Sequence, residues 1–500
     1  MSQEQAGHIA FRLTVEGFPA EDFSIVDFKG REAMNELFSF RLRLVSEKPD
    51  IMPEHTLARS VTLTIESSRE GILSRVPYHG VFSEFRVLHQ ATPYTFYEAV
   101  LVPKAHLLTR SRISEVYTSE KGIPDILEDV LKGEGFSAQD YAFRMSESYR
   151  SRSFVCQYEE SHISFIDRWA EREGIAYYFD HEDGMDRIVF FDHPSHKPAW
   201  NRSLSYRPSS ELDLGFSDDS LQEWSLCVVP LPHRVVVSDF NYRKANLEIQ
   251  ETRILNNRGK GMLQVFGRNL RTNAEAQKQA TVLSEIHKAQ ERTYEGKTTA
   301  IGVRAATTVH LKHHFREDHN GTFFVTSVVH EGSQAAFLLS GFDTHSPEDQ
   351  RQTRYVATLT AIPSDVAFRS GRMTPWPTIS GVVSAIIEAE GSGLFAELNE
   401  YGEYKVRFPF IFQKKRSQKN SGWVRMSTPL AGADNGMHFP LHKETEVMVA
   451  FFGGDPDQPV ILGAVHNSEH RSLITNRNPA ISMIRSIGGN IISFNDEGYT

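Results

Sequence analysis

Cysteine is nearly absent: Cys156 and Cys227 are the only two in 500 residues. That is too few for a disulfide-stapled scaffold, and no C-x-x-C pair is present. Two separate buried thiols are the plain reading, and a single disulfide stays open. No run of about 18 apolar residues occurs, which excludes an ordinary membrane-spanning helix. Positive charge is also short. Lys and Arg number 54 against 64 Asp and Glu, a formal net charge of -10, so no broad cationic field is available and nucleic acid is not an expected partner. The cluster Lys414, Lys415 and Arg416 reads as the solvated tip of a hairpin. Residues 1–7 lack both a basic region and an apolar stretch, so a cleavable signal peptide is not expected. Export would then depend on another machine.

Catalytic signatures are missing too. Neither Ser364 nor Ser370 lies in a Gly-x-Ser-x-Gly context, there is no Gly-x-x-x-x-Gly-Lys-Ser/Thr phosphate loop, and Gly259-Lys260-Gly261 reads as a hairpin turn. His313, His314, Glu317, Asp318 and His319 form the densest ligand-like cluster. They lack the H-E-x-x-H spacing that puts two imidazoles on one helix face, and they precede Asn320-Gly321, a strong turn pair. They read as solvent-exposed turn residues, with no metal and no cofactor expected. Asp455 and Asp457, two positions apart across Pro456, read as turn formers, because a glycosidase pair must flank a sugar from opposite sides.

What is present is strand patterning. A chain of this length exceeds one ordinary core of roughly 250–300 residues, so two to four domains are expected. Alternation marks half-buried strands at Phe11, Leu13 and Val15; at Phe38, Phe40, Leu42 and Leu44; at Val61, Leu63 and Ile65; and at Val81, Phe85 and Val87. Helical spacing appears at Ile123, Ile126, Leu127, Val130 and Leu131. A second helix runs from Ser161 through Phe165, Ile166 and Trp169 to Gly174, with Trp169 read as core. A third starts at Thr272 with Glu275 in the reciprocal capping position. Residues 194–219, rich in Ser, Pro and Asp, predict a long surface connection. The fold class is mainly β with a few packing helices.

Three prolines and Gly371 in 363–377 mark a domain boundary. After it, strands at 379–387, 404–408, 423–427, 446–452 and 460–464, joined by polar turns, suit a small closed barrel of the oligonucleotide/oligosaccharide-binding type. The tail, 480–500, carries Ile481, Met483, Ile491, Ile492 and Phe494 among glycines. It reads as strands without a partner, so either the chain has been cut or neighbouring subunits bury this surface.

The stretch Gly453-Gly454-Asp455-Pro456-Asp457-Gln458-Pro459-Val460-Ile461-Leu462-Gly463 is the most specific in the chain. Pro456 presets a turn, and Gly454 and the aspartates tolerate unusual dihedrals, which fixes the register of the flanking strands. With TPWPTISG at 374–381, EYGEYKVRFPF at 400–410, GWVRMSTPLAG at 422–432 and QYEESHISFIDRWAEREGIAYYF at 157–179, the sequence resembles the VgrG family of type VI secretion spike proteins. That family is in turn similar to the fused hub and needle proteins of contractile phage baseplates. The resemblance spans residues 11–500. Two departures are Trp376, near where the family has a basic residue, and Gln458, where it has Arg.

The resemblance implies a domain order. A hub-like region at 1–362 would hold two related barrel domains with inserted helices, then a linker at 363–378, an OB-type barrel at 379–467 and the start of a trimeric β-helical needle stalk at 468–500. Gly453, Gly454, Asp455, Pro456, Asp457, Pro459 and Gly463 are the structural turn residues. The implied function is a non-enzymatic, membrane-piercing spike hub. Its implied partners are two further copies in a homotrimer, the Hcp tube hexamer, a PAAR-type cap protein on the needle, baseplate proteins and effector cargo. It would assemble in the bacterial cytoplasm and be exported by the contractile machine. Six pseudo-equivalent barrels in a trimer would match the sixfold ring. The competing reading is a non-catalytic carbohydrate or nucleic-acid binding module through the OB-type barrel, with Phe408, Phe410 and Phe412 as its stacking face.

Overall fold

Strand Ser39–Ser46 sets the pattern: Phe40, Leu42 and Leu44 are fully enclosed while Arg41 and Arg43 stand in solvent. The computed structural model describes residues 8–498 apart from 70–71, 119, 209–218, 335–352, 392 and 412–421. The chain divides into two units, one comprising Met1–Arg112, Ile123–Arg150 and Ser161–Pro375, the other Ile113–Gly122, Ser151–Glu160 and Trp376–Thr500. Residues 113–122 and 151–160, which the sequence reading places within 1–362, therefore group with the second unit.

In the first unit, strands His8–Val15, Ser60–Arg69, Ile72–Ala91, Tyr94–Val102, Ser39–Ser46 and Ser24–Ala33 are neighbours in that order. The ends of this ribbon approach each other without a ladder, and a side chain fills the seam. Gln334 Oε1 accepts from Phe11 N at 3.2 Å, while its Nε2 donates to Phe11 O at 3.2 Å and Ile25 O at 2.6 Å. One buried amide thus satisfies backbone groups of both flanking strands, as buried polar groups require.

Strand Gly321–Ser333 belongs to two systems. Its second half pairs with Ser24–Ala33, its first with Thr308–Lys312, and its whole length with Arg354–Pro363. The last pairing closes a ring through Thr308–Lys312, Asn201–Tyr206, Ser220–Val228, Arg292–Thr298 and Arg354–Pro363. Closure leaves no free edge. Under the junction, His330 Nε2 lies 2.9 Å from Glu32 Oε1 and Nδ1 lies 2.8 Å from Tyr355 OH, all three buried.

The helices form where spacing and caps predict. In His162–Glu173, Ser161 Oγ accepts from Ser164 N, Gly174 takes the left-handed conformation at φ 74°, and Trp169 is fully buried. Asn273–Glu291 is capped by Thr272 Oγ1 accepting from Glu275 N, and Glu275 reaches back to Arg271 N. It packs Ala276, Ala280 and Leu283 against Val235, Val237 and Ile249 of a three-stranded sheet.

The second unit is a closed barrel in the order Val382–Glu388, Tyr404–Arg407, Gly422–Met426, Pro459–Ala464, Glu446–Phe451. Its core holds Ala385, Ile387, Tyr404, Val406, Val424, Val447, Val449 and Ile461, joined by Val116, Phe154 and Cys156 from the two earlier segments. The Phe154 ring lies where a Cβ on Gly422 would sit, 2.4 Å from its Cδ2.

Several local expectations are corrected. Val81 and Val87 do not face the core; Val76, Tyr78 and Phe82 do, and a bulge between Phe82 and Glu84 resets the phase so that Phe85 reaches Tyr97 at 5.3 Å. A bulge shifts a period of two by one residue, which pattern alone cannot register. The stretch 194–219 is not all connection, because Asn201–Tyr206 is a strand of the closed ring, paired in parallel on both sides. Residues 259–261 are not a hairpin turn: Glu248–Ile254 and Met262–Phe266 lie on opposite sides of Arg234–Phe240. Cys156 is buried and Cys227 exposed, and the two form no disulfide.

Candidate functional site

Phe452, Gly453 and Gly454 turn the chain between two barrel strands, and both glycines need the left-handed region, at φ 61° and 76°. Phe452 N donates to Gln458 O, Asp455 N to Phe452 O and Gln458 N to Asp455 O, which closes the loop on itself. The Asp455 carboxylate is the hub. Its Oδ1 accepts from Trp376 Nε1 at 3.1 Å and from Asp457 N at 3.0 Å, and its Oδ2 from Gln458 Nε2 at 2.9 Å. Gly454 O accepts from Ile379 N at 2.9 Å. Pro456 and Asp457 are buried, and Asp457 Oδ1 accepts from Cys156 N at 2.6 Å.

Asp455 thus spends its oxygens on indole, backbone and amide donors and Asp457 its Oδ1 on a backbone donor, which is structural use; neither flanks a cleft as a hydrolytic pair would. Pro459 opens the following strand, and Gly463 sits beside the bulge between Met448 and Val449, with open space where its Cβ would be. Sequence reasoning missed Cys156 N as a partner of this turn, and nothing in the local pattern could signal a contact 301 residues away. Trp376 was visible as a departure, and its indole N–H is what meets Asp455.

Of the histidine cluster, His313, Glu317 and Asp318 are exposed as expected, and the other two positions are corrected. His314 and His319 are buried, their rings stacked at 4.7 Å, and Tyr206 packs on His314 at 4.3 Å. Burial and the neighbouring His314 hold the His319 pKa below the ordinary imidazole range. Asn320 is extended, at φ -76° and ψ 131°, so the Asn-Gly pair forms no hairpin turn; its amide instead braces the loop, Oδ1 accepting from His314 N and Nδ2 donating to His314 O. Among the described residues no three His, Cys, Asp or Glu gather as a metal set would. The stacking face of the alternative reading is also changed: Phe408 is 1% exposed in the barrel core, packed on Phe154 and Phe451. Phe412, Lys414, Lys415 and Arg416 lie outside the described residues.

The tail strands do have a partner in one sense. Ile481–Arg485 and Ile491–Asn495 pair with each other as an antiparallel hairpin, yet Ile484, Ile491, Ile492 and Phe494 are 48 to 65% exposed. The facing backbone groups are paired in one ladder, while the apolar side chains stay in solvent.

Residues 31–336 match the family described as phage tail baseplate hub (GPD), and residues 400–466 match the type VI secretion system/phage-baseplate injector OB domain. The chain belongs to the phage tail baseplate hub family. Within this family its sequence relatives are VgrG spike proteins. It is 27% identical over 451 residues to the Pseudomonas aeruginosa type VI secretion system spike protein VgrG1c, covering 88% of this chain and 59% of that one. It is 24% identical to the Vibrio cholerae actin cross-linking toxin VgrG1, covering 92% of this chain and 42% of the toxin. The hub chain thus spans 59% and 42% of the lengths of these two relatives. In fold it is similar to the E. coli c3393 protein, described as a type VI secretion component resembling T4 bacteriophage tail proteins gp27 and gp5. That match has TM-score 0.65 at 20% identity, over 91% of this chain and 100% of that one. It is also similar in fold to a Francisella PdpA-VgrG complex, with TM-score 0.62 at 10% identity, over 99% of this chain and 76% of that one.

Proposed function

We propose that this hub chain is the structural base of a type VI secretion spike, acting as a homotrimer that fits a threefold needle onto a sixfold tube. The observation that carries the reading is the Ile481–Asn495 hairpin, whose apolar side chains face solvent on both sides in a single copy. Leaving such large apolar groups in water forgoes roughly 1.5–3 kcal/mol apiece, and stacked strands of sister subunits would recover it. The hub unit supports the same reading, because one copy carries two barrel-like strand systems, so three copies would offer six to a hexameric Hcp ring. Strand ladders spread a piercing load over many hydrogen bonds. A PAAR-type cap, baseplate proteins and effector cargo complete the proposed set, with assembly in the cytoplasm and export by the machine.

The role is mechanical, with no turnover. Burial of Phe408 disfavours the competing module that stacks bases or sugars on this strand. The test is the mass of the chain in solution by light scattering, followed by electron micrographs of the product. A trimer forming a threefold spike is expected, and a persistent monomer that never joins Hcp rings would overturn the proposal.

A further inference from the structure

Arginine is concentrated at one pocket of the hub unit in a way the assembly reading does not use. A pocket of about 270 Å³ opens between strand Ile72–Ala91 and the start of strand Asn201–Tyr206, and among the described residues its lining includes Arg75, Arg202 and Arg304 but no carboxylate. Three guanidinium groups around so small a space repel one another unless an anion sits among them. The chain as a whole carries a net charge of -10, so this is a local inversion of its average field.

Each arginine keeps donors to spare. Arg75 engages Glu66 through Nε at 2.9 Å, and Glu66 is shared with Arg12 at 2.8 Å, which leaves the terminal nitrogens of Arg75 uncommitted. Arg202 is exposed and forms no ion pair among the described residues. Its guanidinium is seated by a glycine: Gly302, at φ 80°, would place a Cβ 2.7 Å from Arg202 Nη2, so any side chain there would push the arginine out. Arg304 is fixed from beneath, its guanidinium 4.5 Å above the Tyr78 ring and bonded to Pro77 O, while its Nε is buried without a hydrogen-bond partner. One rigid arginine at the floor, one at the rim and one tied to a shared carboxylate make a convergent donor set.

We propose that this pocket binds a single oxyanion, a carboxylate or phosphate group. Planar guanidinium forks match the paired oxygens of both groups, and such charge-assisted bonds are about twice as strong as neutral ones. The shared chemistry is one oxyanion, supplied either as a free phosphate or as one acidic side chain presented by a partner.

The experiment is calorimetric titration of the full chain at low ionic strength, where screening is weak, with inorganic phosphate in one arm and a tetraglutamate peptide in the other. Saturable one-to-one binding of at least one probe is expected, weakened about tenfold or more by Arg202→Gln. Arg202 is exposed, so this variant folds, and a melting curve in the absence of probe checks that. Tighter binding of the peptide assigns the site to a protein carboxylate; tighter binding of phosphate assigns it to the free anion. No saturable binding of either probe, or equal binding by Arg202→Gln, overturns the site. Neither result bears on trimer formation, which is read separately by mass.

Discussion

Gly454 and His181 illustrate how single positions hold energy that neighbours cannot replace. Gly454 stands at φ 76°, where an L-residue loses roughly 1–2 kcal/mol, and a Cβ there would also sit 2.4 Å from Thr378 Cγ2. Thr378 is exposed and can move, so the backbone term dominates. Gly454→Val is expected to lower the urea midpoint by an amount equivalent to about 1–2 kcal/mol, while Gly463→Ala, which meets open space, should stay within about 0.5 kcal/mol of wild type. His181 is 2% exposed, accepts from His79 N through Nδ1 at 3.0 Å, and packs against Phe38 and Tyr78. Burial, then the charge of Arg304, hold its pKa well below the usual value. The unfolded chain takes up a proton below about pH 6.5 that the folded chain refuses, so stability present above that pH falls as the solution is acidified. The expected loss is at most about 1.4 kcal/mol per pH unit from this group. His181→Phe should fall less steeply than wild type when urea midpoints are compared between pH 7.5 and 5. An equal slope in both proteins would assign the acid sensitivity elsewhere.

At the scale of elements, the informative case is a seam closed by a side chain. Gln334 makes three hydrogen bonds to the backbone of two strands that have no ladder between them. Replacing it with Met keeps the volume and leaves Phe11 N, Phe11 O and Ile25 O without that partner. A buried group left unsatisfied costs about 1–3 kcal/mol, so Gln334→Met should destabilise by at least that and should speed hydrogen exchange at Phe11 before the rest of the sheet. Uniform exchange across the strands would contradict a local seam. Helices and barrel strands were legible because caps and periodicity are local: Ser161 with Gly174, and Thr272 with Glu275, lie within a few residues of the helix each bounds. Val81, the 259–261 connection and strand Asn201–Tyr206 were misread because their faces and partners are set by a bulge, a parallel pairing and a closed ring.

For the whole molecule, the hairpin near the C-terminus is the surface on which the proposed trimer rests. Ile484 faces Ile492 and Ser482 faces Phe494 across the ladder, so Ile492 and Phe494 lie on one exposed face. Ile492→Asp with Phe494→Asp should abolish the trimer in sedimentation analysis while leaving the melting of the hub unit within about 0.5 kcal/mol, since exposed sites away from cores seldom matter to folding. A double variant that still sediments as a trimer would move the proposed interface away from the hairpin.

Sequence alone determined whatever depends on near neighbours and on composition. Few cysteines, a net negative charge and pervasive alternation defined a β-rich chain without a stapled scaffold. The Gly453–Gly463 motif carried the resemblance to VgrG proteins that the comparisons bear out. Only the tertiary structure decided that Asp457 meets Cys156 N, that His314 and His319 are buried together, and that three arginines from distant parts of the chain share one pocket. The physical reason is range. Capping, turn dihedrals and side-chain alternation act over a few residues, whereas burial and charge convergence depend on which strands a closed sheet brings side by side.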